Sequence, residues 1–420
     1  MKLTKKVSIK SFSIWIIAVT TFLAIGPYFQ WSSFAGGVIV HIYNVLTLIY
    51  TLVLLYFCWS GKISLASFIA CATMIFIYFF LMLCTGVVGG TCLPPAIGTA
   101  VTFFTFSLLL MCPHEIIYKS FDLLKSIYTI IIAITLILFL LVISGVPLPS
   151  VRLESPETGR VAYSGQYYRN YLGCLFMFTK YARVDRFISV FSEPGVVGTL
   201  SAFFLSSSED RIFKDRRNII ILIGGIMSFS VAFVVMMAIF YVVRQIQKGV
   251  IRRALPMMLL VILYFAFINI NFDNPLINEF QQRLQFTTEG LAGDNRIKAY
   301  AQLQYNDFLH SDLETVLLGY GNAYTDTSTN LNFWQGSATY KRQVFQFGVI
   351  GFGMYVAWTI LAPYNVLKKI DAAKNKRLIA YIFIFVLSMY QRPYPTKLFF
   401  LYLLIAGCVY VIHDKEEFQC

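Results

Sequence analysis

Apolar residues come along this chain in blocks of about twenty, and the charged residues gather in the gaps between blocks. A run of roughly 18 or more apolar residues matches the thickness of a bilayer core. The pattern therefore predicts membrane-spanning helices at about 11–31, 38–59, 63–86, 97–112 and 127–147, and again at about 192–208, 219–230, 231–243, 254–271, 344–365, 378–391 and 397–413. This is an all-α architecture, a polytopic membrane helix bundle of about twelve transmembrane segments, with residues 1–420 forming one integral membrane domain. The stretch 219–243 is continuous enough to be one helix. However, basic EDRIFKDRRN precedes it and basic RQIQKGVIRR follows it. Lys and Arg mark the cytoplasmic side, and one helix cannot have both ends there. Two short helices turning near Ser228, Phe229 and Ser230 satisfy both flanks.

Charge sets the rest of the topology. The N-terminus, MKLTKKVSIK, is basic, and the apolar run after it is too long for a signal peptide and lacks a small-residue cleavage site. It reads as a first helix that starts in the cytoplasm. More than half of the 34 Lys and Arg fall in short segments on that same side, which places both termini inside. Two long segments remain outside, 148–192 and 272–343. The first leads into a helix. The second is a large extracytoplasmic loop, in which RIKAYAQLQYNDFLHS spaces Ile297, Tyr300, Ala301, Leu303 and Phe308 as a partial helical face. Short helices lying over the membrane surface are expected there. Transporters keep their loops short and bind at mid-membrane between repeated halves, and no internal repeat is visible here.

Composition agrees. The chain is 58% hydrophobic and 13% charged, against about 25% charged in soluble domains. Its net charge of +13 follows from the cytoplasmic Lys and Arg and does not imply nucleic acid. None of the eight cysteines forms a CxxC pair, and the four histidines are scattered. No disulfide framework, metal site or cofactor is read from them.

Three groups of residues could carry chemistry. In RFISVFSEPGVVG, Ser192 can cap a helix whose first turn holds Pro194, and Gly195 and Gly198 allow another helix to come close. Glu193 then stands near a helix N-terminus beside Arg183 and Arg186. It is either an acid stabilised by the helix dipole, by about 0.3–1 kcal/mol, or a carboxylate that binds or activates a substrate. The second group is cationic: Arg152, Arg160, Arg169, Lys180, Arg183 and Arg186 in the first loop, with Arg283, Arg296, Lys298, Lys341 and Arg342 in the second. Guanidinium groups grip phosphate oxygens in pairs, whether those belong to lipid headgroups or to a lipid-linked diphosphate. The third is LLGYGNAY. Its Gly319 and Gly321 can form a tight turn or offer N–H groups to an anion. The aromatics Tyr320, Tyr324, Phe333, Trp334 and Tyr340 can stack on sugars or pack the loop core.

Taken in order, these motifs resemble those of bacterial O-antigen polymerases (Wzy-type) and the wider O-antigen ligase-like family of membrane glycosyltransferases. RFISVFSEPGVVG is similar to that family's arginine–glycine–glutamate–proline stretch, with Arg186, Glu193 and Pro194 in register and Ser189 where the family often has glycine. DNRIKAYAQL is similar to its arginine-led helix opening the large loop, with Arg296 in place. LLGYG resembles its glycine pair, and SATYKRQVFQFGVIGFGMYV resembles the start of the helix after the loop. The resemblance covers about residues 186–355. Ligases of the family carry a histidine shortly before QFG. Ser337 stands at that place, followed by Ala338, which favours the polymerase.

The resemblance implies a glycosyltransferase of the bacterial cytoplasmic (inner) membrane that joins polyprenyl-diphosphate-linked oligosaccharide repeat units into a surface polysaccharide on the outer face. It implies catalytic roles for Glu193, Arg186 and Arg296, and substrate contacts from Arg183, Arg169, Arg283, Arg342, Lys341, Gly319, Gly321, Tyr320 and Trp334. Membrane lipids are partners in any case, and a chain-length regulator is implied by resemblance alone. A ligase-type transferase and a lipid-linked oligosaccharide flippase are the alternatives.

Overall fold

The computed structural model describes residues 8–27, 36–61, 63–89, 104–105, 108–153, 167–180, 183–184, 186–208, 213–246, 250–287, 290–292, 299–320, 340–368, 371–391 and 397–413. Helices dominate. In order they are α1 (Ile9–Ala24), α2 (Gly36–Ser60), α3 (Leu65–Gly89), α4 (His114–Ile143), α5 (Pro194–Ser208), α6 (Arg216–Met227) and α7 (Val231–Ile246). There follow α8 (Val250–Asn269), α9 (Pro275–Leu284), α10 (Ala299–Leu309), α11 (Leu313–Leu318), α12 (Tyr340–Leu367), α13 (Ala372–Gln391) and α14 (Leu398–Ile412). The apolar blocks thus became helices close to where the pattern put them, apart from 97–112, which lies mostly outside the described residues.

By length and composition, three described helices can cross a membrane: α2, α4 and α12. Shorter apolar stretches of helix lie at Ile9–Ala24, at Leu65–Ile77 in the first half of α3, at Val231–Arg244 and at Leu398–Ile412. This is fewer than the expected twelve spans. Helix length accounts for part of the shortfall. α6 has 12 residues and α5 and α14 have 15 each, below the roughly 20 that a full crossing needs. The outward faces nevertheless favour lipid. On α4, Ile130, Ile134, Ile137 and Leu141 form one exposed apolar stripe, while Lys125, Thr129 and Thr135 are buried. A soluble helix would show the opposite arrangement.

The chain divides into two compact units. One comprises Met1–Ile17, Thr47–Ser120 and Asp294–Cys420, the other Ala18–Leu46 and Phe121–Gly293. The first unit is centred on α3, α12, α13 and α14. α14 is apolar all round and buried on nearly every residue. Tyr402 on it shares a hydrogen bond with Ser120 (2.7 Å), and Tyr381 of α13 donates to the Leu403 carbonyl at 2.8 Å. Gly407 leaves the room that the Tyr381 ring occupies. At one end His114 and His413 meet at 3.0 Å.

In the second unit α5 is the core, buried from Val197 to Ser208. Tyr128 of α4 donates to the Val197 carbonyl at 3.0 Å and pairs with Ser201 at 2.9 Å. α6 and α7 both pack on α5. The helix breaks between them as the flanking charges predict: α6 is capped at Ser228, Phe229 takes a left-handed φ of 45°, and α7 starts at Val231. Small residues make these contacts close. A methyl on Gly198 would strike Ser230, and one on Gly225 would strike the Phe233 ring.

Within 148–192 the described residues hold a fold that the pattern did not predict. Strands β1 (Ser150–Leu153), β2 (Tyr167–Tyr171), β3 (Leu175–Lys180) and β4 (Arg183–Val184) form an antiparallel meander in that order. A second, two-stranded ladder joins β5 (Phe286–Thr287) to β6 (Gly290–Leu291). The all-α expectation therefore holds for the helical body but not for this stretch. Within 272–343 the described residues do include short helices, α9, α10 and α11. Gln281 of α9 donates to the Phe267 and Ile270 carbonyls at the end of α8, satisfying acceptors that a helix terminus leaves open.

Candidate functional site

The Arg186–Glu193 motif is held from several sides within the second unit. Phe176 of β3 donates its N–H to the Ser189 carbonyl at 2.9 Å, and Tyr168 of β2 donates its hydroxyl to the Ser192 carbonyl at 3.0 Å. The unexpected sheet is thus the scaffold of the motif. Ser189 takes a left-handed φ of 56°, a conformation that costs an ordinary residue about 1–2 kcal/mol. Its hydroxyl lies 2.8 Å from that of Thr135 on α4, both buried. The turn then feeds α5, which begins at Pro194. Proline suits this position because its missing N–H would have no partner in a first turn. The capping position falls to Glu193, one residue later than expected for Ser192.

Glu193 is half-buried there. Arg186 is also half-buried and gives an Nη1 hydrogen to the Phe229 carbonyl at 3.2 Å. That carbonyl is turned toward the guanidinium by the left-handed break between α6 and α7. The Phe229 ring packs edge-on against Phe280 of α9, at 5.4 Å between centroids. Arg283 follows one turn later and forms an ion pair with Glu279. Arg186 is thus held at the Phe229 carbonyl and linked through the Phe229–Phe280 contact to the helix that carries Arg283, while Glu193 stands at the start of α5 in the same unit. Chemically, such a pair can hold a phosphate oxygen and accept a proton from a hydroxyl.

Arg169 stands in β2, directly opposite Arg152 of β1 and Met177 of β3. Arg183 is the register partner of Lys180 across β3 and β4. The like charges of Arg152 and Arg169, placed opposite each other, repel by a few tenths of a kcal/mol or more.

In the first unit the structure joins two other motifs. Gly319 (φ 82°) ends α11 and Gly348 (φ 68°) kinks α12, and their backbones meet. A methyl on Gly319 would overlap the Gly348 amide, and one on Gly348 would overlap the Leu317 carbonyl. The Gly319 N–H goes to the Thr315 carbonyl at 2.7 Å and that of Tyr320 to the Phe345 carbonyl at 2.9 Å. These two amides are therefore not offered to an anion, and the turn works as a packing device. Tyr320 joins Phe308 and Phe345 in an aromatic cluster, which is the packing alternative of the two read from the sequence. Lys341 reaches the Gln302 amide oxygen and lies 5.4 Å over the Tyr305 ring. Arg342 is half-buried beside it on α12. Arg296, Gly321 and Trp334 lie outside the described residues.

Sequence reasoning missed a charged cluster at the other end of the second unit. Lys125, fully buried, donates to Ser208 at 2.7 Å and pairs with Asp215 at 3.4 Å. Arg217 bridges Asp215 and Asp122, each at 2.8 Å, and donates to Ser126. Two acids face two bases, so the cluster is neutral. It ties α4, α5 and the start of α6 together. Burial works to raise the Asp215 carboxyl, but the hydrogen bonds from Arg217 and the Lys125 charge outweigh it and bring it down from 3.8 to about 2. The available signal was Asp122 and Lys125 three apart on one helix, an ion-pair spacing. Among the described residues no group of His, Cys, Asp and Glu could hold a metal ion.

Comparison with family models, with curated proteins and with solved structures finds no match to this chain.

Proposed function

We propose that this protein is a multi-pass enzyme of the bacterial cytoplasmic membrane, with both termini inside, that polymerises oligosaccharide repeat units carried on polyprenyl diphosphate. A hydroxyl at the sugar end of one lipid-linked unit attacks the anomeric carbon of the growing chain. The bond from that carbon to the diphosphate breaks, a glycosidic bond forms, and the lipid diphosphate leaves with the electron pair. The acceptor's proton passes to a base, for which Glu193 is the candidate. Arg186 neutralises charge on the leaving diphosphate. Arg296 and then Arg342 take the same role by resemblance. No nucleotide sugar takes part.

The observation that carries this reading is the folded form of RFISVFSEPG. The residue standing at the family's glycine takes the left-handed backbone that glycine favours, and the turn it makes leads from an anchored arginine to a half-buried glutamate at a helix start. The opposite end of the same unit carries Lys214, Arg216 and Arg217, a basic segment of the kind expected on the cytoplasmic side.

The test is a reconstitution. Purified protein in liposomes receives defined lipid-linked repeat units, and the product is resolved as a glycan ladder. Wild type should give a ladder and Glu193→Gln none, while the variant still folds and binds lipid. A ladder from both reduces Glu193 to a helix cap and keeps the polymerase. Movement of lipid-linked units across the bilayer without a ladder overturns the polymerase in favour of a transporter.

A further inference from the structure

α3 and α12 of the first unit leave a groove of about 670 Å³ along their contact. Its floor is made of small and flat groups. Trp358 of α12 lies across it with its indole N–H given to the Ala70 carbonyl at 3.0 Å, and Ala66, Thr73 and Ala357 line the walls. The volume falls within the range of ligand pockets, about 300–1,000 Å³, yet the lining is apolar apart from Thr73, whose hydroxyl is given to the Ile69 carbonyl, and from one end. There Asn365 and Lys368 face out, both exposed. The helical hydrogen bonding of α12 continues through Lys368, whose N–H meets the Tyr364 carbonyl at 2.8 Å, so the lysine is fixed in register with the groove. Among the described residues no carboxylate pairs with it.

Length identifies the occupant. From Ala66 to Ile77, both lining residues, a helix rises roughly 16 Å at 1.5 Å per residue. That is about half of a 30 Å hydrocarbon core, one leaflet deep. We propose that the groove holds one acyl chain of an anionic phospholipid, with its phosphate at Lys368. The proposal rests on α12 crossing the membrane and is independent of any glycosyl transfer. The leaflet would be the cytoplasmic one, because Lys369, Lys374, Lys376 and Arg377 follow Lys368 in sequence and basic segments mark that side. The lipid would then act as a fixed part of the α3–α12 seam.

The test uses the full-length protein in phosphatidylcholine vesicles carrying a trace of phosphatidylglycerol with a photoreactive diazirine at mid-chain, or the same diazirine on phosphatidylcholine. Adducts are mapped by mass spectrometry. The anionic probe should label the groove-lining stretches of α3 and α12 about five-fold more than the neutral one, the effect of roughly one lysine at an anionic surface. Lys368→Glu should remove that preference and Lys368→Arg keep it. Ala357→Trp, which fills the groove, should abolish groove adducts at an unchanged unfolding midpoint; Thr73→Phe serves if that variant does not fold. Equal labelling by both probes, with no effect of Lys368→Glu, overturns the proposal. So does labelling confined to other faces, or a protein–protein cross-link at these residues in place of lipid adducts.

Discussion

Ser189 has a left-handed φ of 56° and a buried hydroxyl bonded to Thr135, two features with opposite consequences for substitution. Glycine would relieve backbone strain of about 1–2 kcal/mol but lose a hydrogen bond worth about 1 kcal/mol and restrict a more flexible unfolded chain. Ser189→Gly should therefore unfold within about 1 kcal/mol of wild type and keep the proposed activity. Ser189→Val, β-branched and without the hydroxyl, should cost about 2–4 kcal/mol. Thermal unfolding in detergent, followed by intrinsic fluorescence, distinguishes the two. Arg186 allows a sharper chemical test. Lysine keeps the charge but not the planar fork that bonds the Phe229 carbonyl and matches phosphate oxygens. Arg186→Lys should lose at least ten-fold in ladder formation while the unfolding midpoint moves by only a few degrees.

Among the elements, the Gly319–Gly348 crossing is the tightest constraint on substitution. Alanine at either position meets backbone rather than a movable side chain, and each φ is one that non-glycine residues avoid. Gly348→Ala should destabilise the first unit by about 3 kcal/mol or more, and Gly353→Ala, which has open space around it, should change little. Circular dichroism melts of the two variants side by side test this. The same scale shows what the sequence can and cannot reveal. Helices were legible because a lipid solvent demands long uninterrupted apolar blocks, and the break at Ser228–Ser230 was legible from charge on both flanks. The meander was not. Its hairpin turns at Leu172 (φ 54°) and Gly173 (φ 72°), with the Cys174 N–H returning to the Tyr171 carbonyl at 3.1 Å. That geometry normally announces itself as Asn-Gly or Asp-Gly, and a leucine in the first place conceals it. The motif residues were legible as a string, but the hydrogen bonds from Tyr168 and Phe176 that shape it come from this concealed sheet.

For the whole molecule, the buried neutral cluster around Asp215 links stability to pH. Its folded carboxyl titrates at about 2, below the ordinary 3.8, so it contributes stability in full above about pH 4 and loses it as pH falls through 2. Asp215→Asn leaves Lys125 and Arg217 short of a counter-charge and should lower stability at pH 7 by about 2–4 kcal/mol. The gap from wild type should close as both are taken from pH 4 to pH 2 in unfolding measurements. A denaturation gap that stays constant across that range would place the loss elsewhere than in the carboxylate.

The shortness of α6 reaches beyond the protein. Its 12 residues climb about 18 Å, while the hydrocarbon core of a bilayer is about 30 Å thick. If the Asp215 cluster lies at one headgroup layer, as the proposed topology has it, the Phe229 turn and the arginine it anchors would stop about 12 Å below the other. In the proposed topology, lipid could not cover a guanidinium and a carboxylate at that depth without large cost, so the bilayer would have to thin around this unit and water would have to follow it down. Sugars on a polyprenyl carrier would then meet the protein in a dimple of the membrane, with the carrier's diphosphate drawn below the plane of the surrounding headgroups.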